Sequence, residues 1–547
     1  MAGTPSAGPA HAVVLGASMG GLLAARVLGD FYQKVTIVER DMLPVAPVNR
    51  RGVPQGRQIH AIQARGTQIL DELFPNFVDE LRAGGVMSWD DGDLSKLCVS
   101  VAGHQLVRSG KVPNSQTISV SFASRPFLEW HVRRRVRAIP NVIFLEGHDV
   151  VGLSATPARD RITGARVVNR DTTHEATLTA DLVVDATGRG SRTPNFLEEL
   201  GYGRPSQDEL TVHLAYACQL LRLPPGAVEE HMIALFPVPG RPKIFGLFKY
   251  ENDTWMFSVG ALAGLQPPSQ PADMLRFVAD FAPAHALQAI QTGEPLGDVA
   301  HHRVPSNRWR RYDKMRRTPD GLVVFGDAVC SFNPIYGQGM TIAAIEATVL
   351  RECLRRGQRN LPRRFFRASA KKIRVAWQTA VGSDLALPEV VGPRPLSTRI
   401  SNAYLDWVMT ATETDPTVAG QFIRVIGMID PPTRLLRPSI VLRIAQANRV
   451  RRSEGRQRIS TAAKPLPTPQ DPARGVRPSQ QTDERTPPMN AAIIDRHPTD
   501  LTRHAGSTST NIDVPAGCRN ERPQNLPAER IQNNVDDDNR PVTIFAW

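Results

Sequence analysis

The chain has 547 residues, of which 41% are apolar, and it carries a formal net charge of +13. This length exceeds one ordinary domain, and the apolar fraction suffices for at least one large core. The five cysteines are scattered without the spacing of a zinc site or a disulfide framework, so we expect neither. The N-terminus lacks the pattern of a signal peptide and no apolar run is long enough to span a bilayer, so we expect a cytoplasmic protein.

The first predicted unit, residues 12–39, reads as strand, glycine turn, helix and strand. Its turn has the sequence GASMGG and lies directly between an apolar strand and a helix. Such a turn presents backbone N–H groups at a helix N-terminus, where the pyrophosphate of a dinucleotide binds. Gly16 suits the tight turn, Gly21 suits close contact of helix and strand, and Ser18 replaces the usual middle glycine. The candidate cofactor-binding residues here are Gly16, Ser18, Met19, Gly20 and Gly21.

The second strand of this unit ends at Glu39, which Arg40 follows. Glu39 lies close to the position from which a carboxylate reaches the ribose hydroxyls of a dinucleotide. An acid at this position favours a free 2′-hydroxyl over a 2′-phosphate. Glu39 and Arg40 are therefore also candidate cofactor-binding residues.

After residue 204, the spacing of the apolar residues changes. Residues 205–316 read as strands separated by turns rich in Pro and Gly, which indicates an inserted, mainly antiparallel domain. The predicted fold class is α/β, or α+β overall, with a Rossmann-like cofactor-binding domain and an inserted β-rich substrate domain. The predicted segments are 10–204 and 317–380 for the cofactor-binding domain, 381–452 for C-terminal helices, and 453–547 for a disordered tail.

A second glycine-rich helix start lies within residues 326–340. A buried-strand pattern ends at Gly326-Asp327, and a proline and two glycines then precede an apolar helix. This arrangement describes a pocket for a polyol and an electron-rich ring, because the helix dipole stabilises negative charge that accumulates on the ring. Together with the first turn, it predicts that the chain binds FAD. The candidate residues are Asp327, Pro334, Gly337, Gln338, Gly339 and Met340.

The order of four segments resembles the flavoprotein monooxygenases of the para-hydroxybenzoate hydroxylase and squalene epoxidase type: GASMGG…VER, SRPFLEWHVRRRV, LVVDATGRGSR and GLVVFGDAVCSFNPIYGQGM. The resemblance spans residues 10–450, and RRGVPQGRQIHAIQARGTQIL is similar to bacterial members that include polyether epoxidases. It implies that Asp327 binds the flavin ribityl chain and that Arg125 approaches the cofactor. It also implies that NADPH or NADH reduces FAD, and that a flavin C4a-hydroperoxide delivers oxygen to the substrate.

Three positions or motifs depart from relatives of this kind. Thr187-Gly188 stands where many relatives have Asp-Gly, with Asp185 two residues earlier, so the choice between NADPH and NADH stays open. Cys330 stands where many relatives have a histidine, which indicates a small buried residue. The WxWxIP segment of flavin halogenases is absent, which disfavours halogenation.

The resemblance implies an oxidoreductase that hydroxylates or epoxidises a small hydrophobic substrate, either aromatic or alkene. No catalytic side chain is predicted, because the cofactor carries the chemistry. Substrate contacts are expected from residues 205–316 and from the helices after residue 380. Candidates for the cavity wall are Trp407, Met409, Phe422 and Met428, and candidates for proton transfer are His301 and His302.

Two other functions stay open from the sequence. An FAD-dependent reductase of isoprenoid double bonds would share both glycine motifs but would not consume O2. A non-catalytic flavoprotein would dock on an acidic partner, or peripherally on an anionic membrane, through the ten basic residues of Arg351–Arg374. The tail is nearly neutral, so nucleic-acid binding is not expected, and the oligomeric state is left open.

Overall fold

The computed structural model describes residues 10–462. The strands are β1 His11–Leu15, β2 Lys34–Val38, β3 Met87–Trp89, β4 Leu97–Val101, β5 His104–Gln105, β6 Val120–Phe122, β7 Val142–Leu145, β8 His148–Ala155, β9 Ile162–Asn169, β10 Glu175–Thr179, β11 Leu182–Asp185, β12 Gln207–Arg222, β13 Met232–Leu235, β14 Lys243–Lys249, β15 Thr254–Ala261, β16 Glu294–Pro295, β17 Ala300–Arg310, β18 Leu322–Val324 and β19 Cys330–Ser331. The α-helices are α1 Met19–Leu28, α2 Ala64–Leu73, α3 Phe77–Ala83, α4 Arg125–Arg137, α5 Thr193–Glu199, α6 Pro271–Val278, α7 Ala284–Gln291, α8 Gly339–Arg355, α9 Leu361–Asp384, α10 Leu396–Thr412, α11 Pro416–Ile426 and α12 Pro438–Ala462.

Five parallel strands form the first sheet, in the order β18-β11-β1-β2-β7. Val13 of β1 pairs with Val183 of β11 on one side and with Thr36 of β2 on the other. Val13 is fully buried, as are its neighbours in β1, which accounts for the unbroken apolar run of this strand. Strand order reverses at β1, and ligands of open α/β sheets bind at the carboxyl ends of the strands at such a point.

Nine strands form a second sheet, in the order β19-β17-β12-β15-β14-β13-β4-β5, with β16 beside β12. Every pair in this sheet is antiparallel except β13 with β4. Strands β4 and β5 come from residues 97–105, which lie within the range that the sequence assigned to the cofactor-binding domain. A parallel sheet combined with a mainly antiparallel one confirms the predicted fold class.

The helices after residue 381 are α10, α11 and α12, where the sequence predicted C-terminal helices. Helix α12 is described as far as Ala462, nine residues beyond the predicted start of the tail at 453. The rest of the predicted disordered tail, residues 463–547, lies outside the described residues. Between residues 10 and 462, no helix is both long and apolar enough to cross a membrane.

Candidate active site

The turn between β1 and α1 has a backbone that only glycine accommodates at two positions. Gly16 has a φ of +98°, and a Cβ there would lie 2.8 Å from the carbonyl oxygen of Ala186. A Cβ on Gly21 would lie 1.8 Å from the carbonyl oxygen of Gly16. The two glycines therefore let α1 begin directly against the carboxyl end of β1. No side chain caps the N-terminus of α1, so its first N–H groups are available to a ligand.

Ser18 and Arg125 lie together at the start of α1. The Nη2 of Arg125 donates a hydrogen bond to the Ser18 Oγ at 2.6 Å, and the Ser18 hydroxyl donates to Glu129 at 2.9 Å. Arg125 also forms an ion pair with Glu129 at 3.1 Å, one turn along α4. Arg125 is only 7% exposed and lines the cavity described below, so it is not the surface residue at a helix start that its sequence context also allowed.

Glu39 is 4% exposed and lies beside the same turn. Its carboxylate accepts hydrogen bonds from the backbone N–H of Ala17 at 2.8 Å and of Asp41 at 3.0 Å. Arg50 approaches Glu39 at 3.3 Å and pairs with Glu129 at 2.9 Å, which joins the two carboxylates in one buried network. Burial opposes the charge on Glu129, but Arg125 and Arg50 outweigh it and keep its pKa below the ordinary value.

The second glycine motif forms a turn at the end of β18. Gly326 and Gly337 both have a φ of +64°, and α8 begins at Gly339 without a side-chain cap. A Cβ on Gly339 would lie 3.6 Å from Oδ1 of Asp327, so this carboxyl group lies beside the N-terminus of α8. The side chain of Asp327 lines the cavity and is accessible from it. Desolvation inside the cavity raises the pKa of Asp327, while Arg125 and Arg189 act in the opposite direction.

A buried polar network holds the loop between Asp327 and α8. Asp384, at the end of α9, accepts hydrogen bonds from Asn307 at 2.7 Å, from Asn333 at 2.8 Å and from the Tyr336 hydroxyl at 2.8 Å. Burial raises the pKa of Asp384 to about 6, although the three donors favour its charged form. Sequence reasoning missed this network, because its members come from β17, the loop and α9.

Glu346 supports the same turn from within α8. It is fully buried, and its Oε2 accepts a hydrogen bond from the backbone N–H of Gly326 at 2.8 Å. Its Oε1 has no partner in the part of the chain that the structure describes. Burial raises the pKa of Glu346 to about 8, and the nearby Asp327 acts in the same direction. Sequence reasoning did not single out this acid either, since it lies in an apolar helix.

Both glycine turns open into one cavity of about 1560 Å³. Pockets for a single drug-sized ligand measure roughly 300–1,000 Å³, so this cavity has room for a cofactor and a substrate. Gly21 does not line it, since that residue packs against Gly16 instead. The predicted cofactor residues that line the cavity are Gly16, Ser18, Met19, Gly20, Glu39, Arg40, Arg125, Asp327, Pro334, Gly337, Gln338, Gly339 and Met340.

The half of the cavity away from these residues, which we call the apolar chamber, has walls from the large sheet, from the two-stranded sheet of β3 and β6, and from the C-terminal helices. The side chains in these walls include Trp89, Val99, Phe122, Ala234, Phe236, Phe248, Leu405 and Phe422. Phe422 and Met428 line the cavity, as the sequence predicted. Trp407 and Met409 do not, because Trp407 packs on Tyr404 and Met409 is fully buried in the core.

The polar side chains of the chamber include one predicted histidine. His302 lines the cavity, and burial together with Arg189 lowers its pKa. His301 is exposed and does not line the cavity. His60 also lines the cavity; sequence reasoning named its segment as a point of resemblance but did not identify the residue.

Two positions that departed from the expected pattern have structural roles. Asp185 accepts hydrogen bonds from the N–H and hydroxyl of Thr187 and from the hydroxyls of Ser191 and Thr193, so it holds the Thr187-Gly188 turn. Cys330 is 1% exposed, and burial raises the pKa of its thiol well above the ordinary value. The described residues contain no cluster of side chains suited to a metal ion.

These features fit FAD. Two uncapped helix N-termini, those of α1 and α8, meet one cavity and present N–H groups that lack protein partners. Glu39 and Asp327 supply carboxylates beside the two turns, where the hydroxyls of a ribose and a polyol need acceptors. The oxygen of the Gln338 side chain, which is 4% exposed, is a further buried acceptor without a partner among residues 10–462.

The chain is similar to several known proteins in sequence or in fold. No protein-family model matches the chain. It is 37% identical over 429 residues to Protein Rv3254 of Mycobacterium tuberculosis (strain ATCC 25618 / H37Rv), covering 77% of this chain and 90% of that protein. It is 27% identical over 363 residues to kynurenine 3-monooxygenase of Salinispora arenicola (strain CNS-205), covering 62% of this chain and 72% of that enzyme. The structure of the flavin-dependent brominase Bmp2 superposes with a TM-score of 0.56 and 14% identity, covering 82% of this chain and all of that one, which is a likeness of fold alone.

Proposed function

We propose that the chain is an FAD-dependent flavoprotein monooxygenase, which uses FAD, O2 and NADPH or NADH to hydroxylate or epoxidise a small hydrophobic substrate. The main support for this proposal is a single cavity whose two halves have different linings. Glycine turns and carboxylates line one half, and apolar side chains line the other. A cofactor site that opens directly into an apolar chamber suits oxidation of an apolar molecule beside the flavin.

The first half of the cavity would hold FAD through groups from both glycine motifs. The N–H groups of the turn from Gly16 to Gly21 would bind the pyrophosphate, and Glu39 would bind the ribose hydroxyls. Asp327 would bind the ribityl chain, and the turn before α8 would hold the ring. When bound and reduced, FAD supplies the reaction with O2, for which no protein side chain offers an equivalent.

The protein's own residues would position the ring and the substrate and would limit access of water. The uncapped N-terminus of α8 would stabilise negative charge on the ring of a bound FAD through its dipole and its N–H groups. The hydrogen bonds to Asp384 hold the loop that precedes this helix. The apolar walls of the chamber would limit the access of water, and with it the loss of reducing equivalents to hydrogen peroxide. The kynurenine 3-monooxygenase relatives support oxygen insertion as the reaction class.

The test is to supply the FAD-loaded protein with NADPH or NADH, ¹⁸O2 and a panel of apolar aromatic and polyene compounds. We expect NAD(P)H oxidation that accelerates with a true substrate, and a product that carries one ¹⁸O atom by mass spectrometry. Protein without FAD is the control. Reduction of an alkene in the absence of O2, with no labelled product in its presence, would contradict a monooxygenase and would indicate a double-bond reductase.

A further inference from the structure

The segment Gln58–Gln63 lies at the boundary between the two halves of the cavity. On the cofactor side, the Gln63 side-chain amide donates to the carbonyl oxygen of Tyr336 at 2.9 Å, within the loop before α8. On the sheet side, the hydroxyl of Tyr250 accepts from the His60 N–H at 2.7 Å and donates to the His60 carbonyl at 2.9 Å. Because hydrogen bonds hold the segment on both sides, its side chains have defined positions between cofactor and chamber.

The hydrogen bond of the His60 ring determines which of its nitrogens carries a proton. Nδ1 lies 3.0 Å from the carbonyl oxygen of Gln58, and a carbonyl only accepts, so Nδ1 carries the hydrogen. Burial, with Arg125 adding its positive charge, lowers the pKa of His60 to about 3, so the ring is neutral. Nε2 is then an acceptor only, and it has no protein donor among residues 10–462.

Gln58 presents a second acceptor on the same segment. Its side-chain nitrogen donates to the carbonyl oxygen of Ala300 at 3.3 Å, which fixes the orientation of the amide. Its Oε1 is buried, lies on a residue that is 3% exposed, and has no partner within the described chain. A buried acceptor without a partner costs about 1–3 kcal/mol, so the wall of the cavity favours a ligand that supplies a donor.

We propose that Gln58 and His60 form a subsite that binds a hydroxyl group on an otherwise apolar substrate. This inference rests on the proposed function and specifies its substrate class as hydroxylated aromatic or aliphatic molecules. A neutral donor fits better than an ammonium group, because Arg125 places positive charge near His60. The subsite selects by hydrogen-bond direction: an alcohol or phenol donates its one hydrogen to Nε2 of His60 or to Oε1 of Gln58, whereas the corresponding methyl ether donates to neither acceptor.

The test measures binding without turnover, by titration of the oxidised FAD-loaded protein and observation of the flavin absorbance. The probes are 1-naphthol and 4-phenylphenol, each compared with its methyl ether. We expect each phenol to bind about tenfold more tightly than its ether, which corresponds to about 1.4 kcal/mol. Equal affinity within both pairs, or no measurable binding of any probe, would overturn the subsite.

Three variants test whether His60 causes the preference for phenols. His60→Asn keeps an amide nitrogen near the place of Nδ1 but removes the acceptor at Nε2, so the phenols should lose their tenfold advantage while ether binding stays unchanged. His60→Gln returns an amide oxygen close to the Nε2 position and should restore part of the preference. His301→Asn is the matched control, because His301 is exposed and does not line the cavity.

The outcomes separate this inference from the proposed function. An equal loss of phenol and ether affinity in His60→Asn would indicate a general packing role and would contradict the subsite. The FAD content of every variant, measured from absorbance, verifies that the cofactor half is intact. If the protein incorporates ¹⁸O but shows no preference for phenols, only the subsite is contradicted. If it prefers phenols but inserts no oxygen, only the monooxygenase activity is contradicted.

Discussion

The two halves of the cavity are built from different parts of the chain. The cofactor half is made mainly of backbone turns, each contained in a short continuous segment, with carboxylates such as Glu39 and Asp327 beside them. The apolar chamber is made of side chains on strands and helices that are distant in sequence, from Trp89 to Phe422. The cofactor half is therefore sensitive to a single added methyl group. The chamber should tolerate changes of volume at the cost of substrate selectivity alone.

Substitution of Gly21 should break the cofactor half most completely. In Gly21→Ala, the new Cβ would lie 1.8 Å from the Gly16 carbonyl oxygen, so α1 must move away from β1. We expect almost complete loss of bound FAD, measured from the ratio of flavin to protein absorbance after purification. Gly29→Ala is the control, because Gly29 lies at the opposite end of α1, has an ordinary helical φ of −57° and does not line the cavity. A Gly21→Ala protein with full FAD content would contradict the assigned role of the turn.

Replacement of Asp384 should weaken the cofactor half through the loop that Asp384 holds. Asp384→Ala leaves the buried donors of Asn307, Asn333 and Tyr336 without their acceptor. We expect a loss of about 3 kcal/mol in the free energy of unfolding and weaker FAD binding, measured by denaturant titration and by flavin release. The exposed Asp298 provides the matched control, and Asp298→Ala should leave both quantities unchanged. Unchanged FAD affinity in Asp384→Ala would show that the loop does not need this network.

Glu346 should make the stability of the cofactor half depend on pH. Its pKa in the folded protein, about 8, exceeds the ordinary carboxyl value near 4.5, so the folded state binds more protons than the unfolded state between these pH values. The free energy of unfolding of the native protein should therefore fall as pH rises from 5 to 8. Glu346→Gln removes this dependence and should be more stable than the native protein at pH 8, by about 1–3 kcal/mol. A constant difference between the two proteins from pH 5 to pH 8 would contradict the raised pKa.

A larger side chain in the apolar chamber should weaken substrate binding without affecting FAD binding. Ala234 of β13 lines the chamber and is 8% exposed, so Ala234→Phe reduces the space for substrate. We expect KM for bulky substrates to rise about tenfold while FAD content stays at the native level. Steady-state kinetics and flavin absorbance measure the two quantities. Loss of FAD in this variant would contradict the separation of cofactor and substrate halves.

Removal of residues 463–547 should have the smallest effect. All the described residues that line the cavity lie between Leu15 and Pro432. We expect the shortened protein to retain native FAD content and native thermal stability, measured by absorbance and by thermal denaturation. A reduced FAD content would show that the removed segment contributes to cofactor binding.

The amino-acid sequence alone determined much of the cofactor half. Gly16 and Gly21 were identified because a tight turn and a close contact of helix and strand leave a signature in adjacent residues. The start of α8 at Gly339 and the position of Asp327 followed from the same kind of local pattern. The βαβ order and the mainly antiparallel insertion were also evident, because the spacing of apolar residues indicates each strand and each helix separately.

Only the tertiary structure decided the composition of the chamber and the contacts that hold the site. Strand β4 joined the large sheet through its parallel pairing with β13, about 135 residues later in the chain, and no local pattern marks such a partner. Asp384, Glu346 and His60 acquired their roles from burial and from neighbours that other elements supply. Of the residues predicted for the cavity wall, Met409 is fully buried in the core, and the half-buried Trp407 packs against the cluster of the C-terminal helices. Backbone turns are specified by residues next to each other, whereas a shared cavity wall depends on which faces the packed elements present.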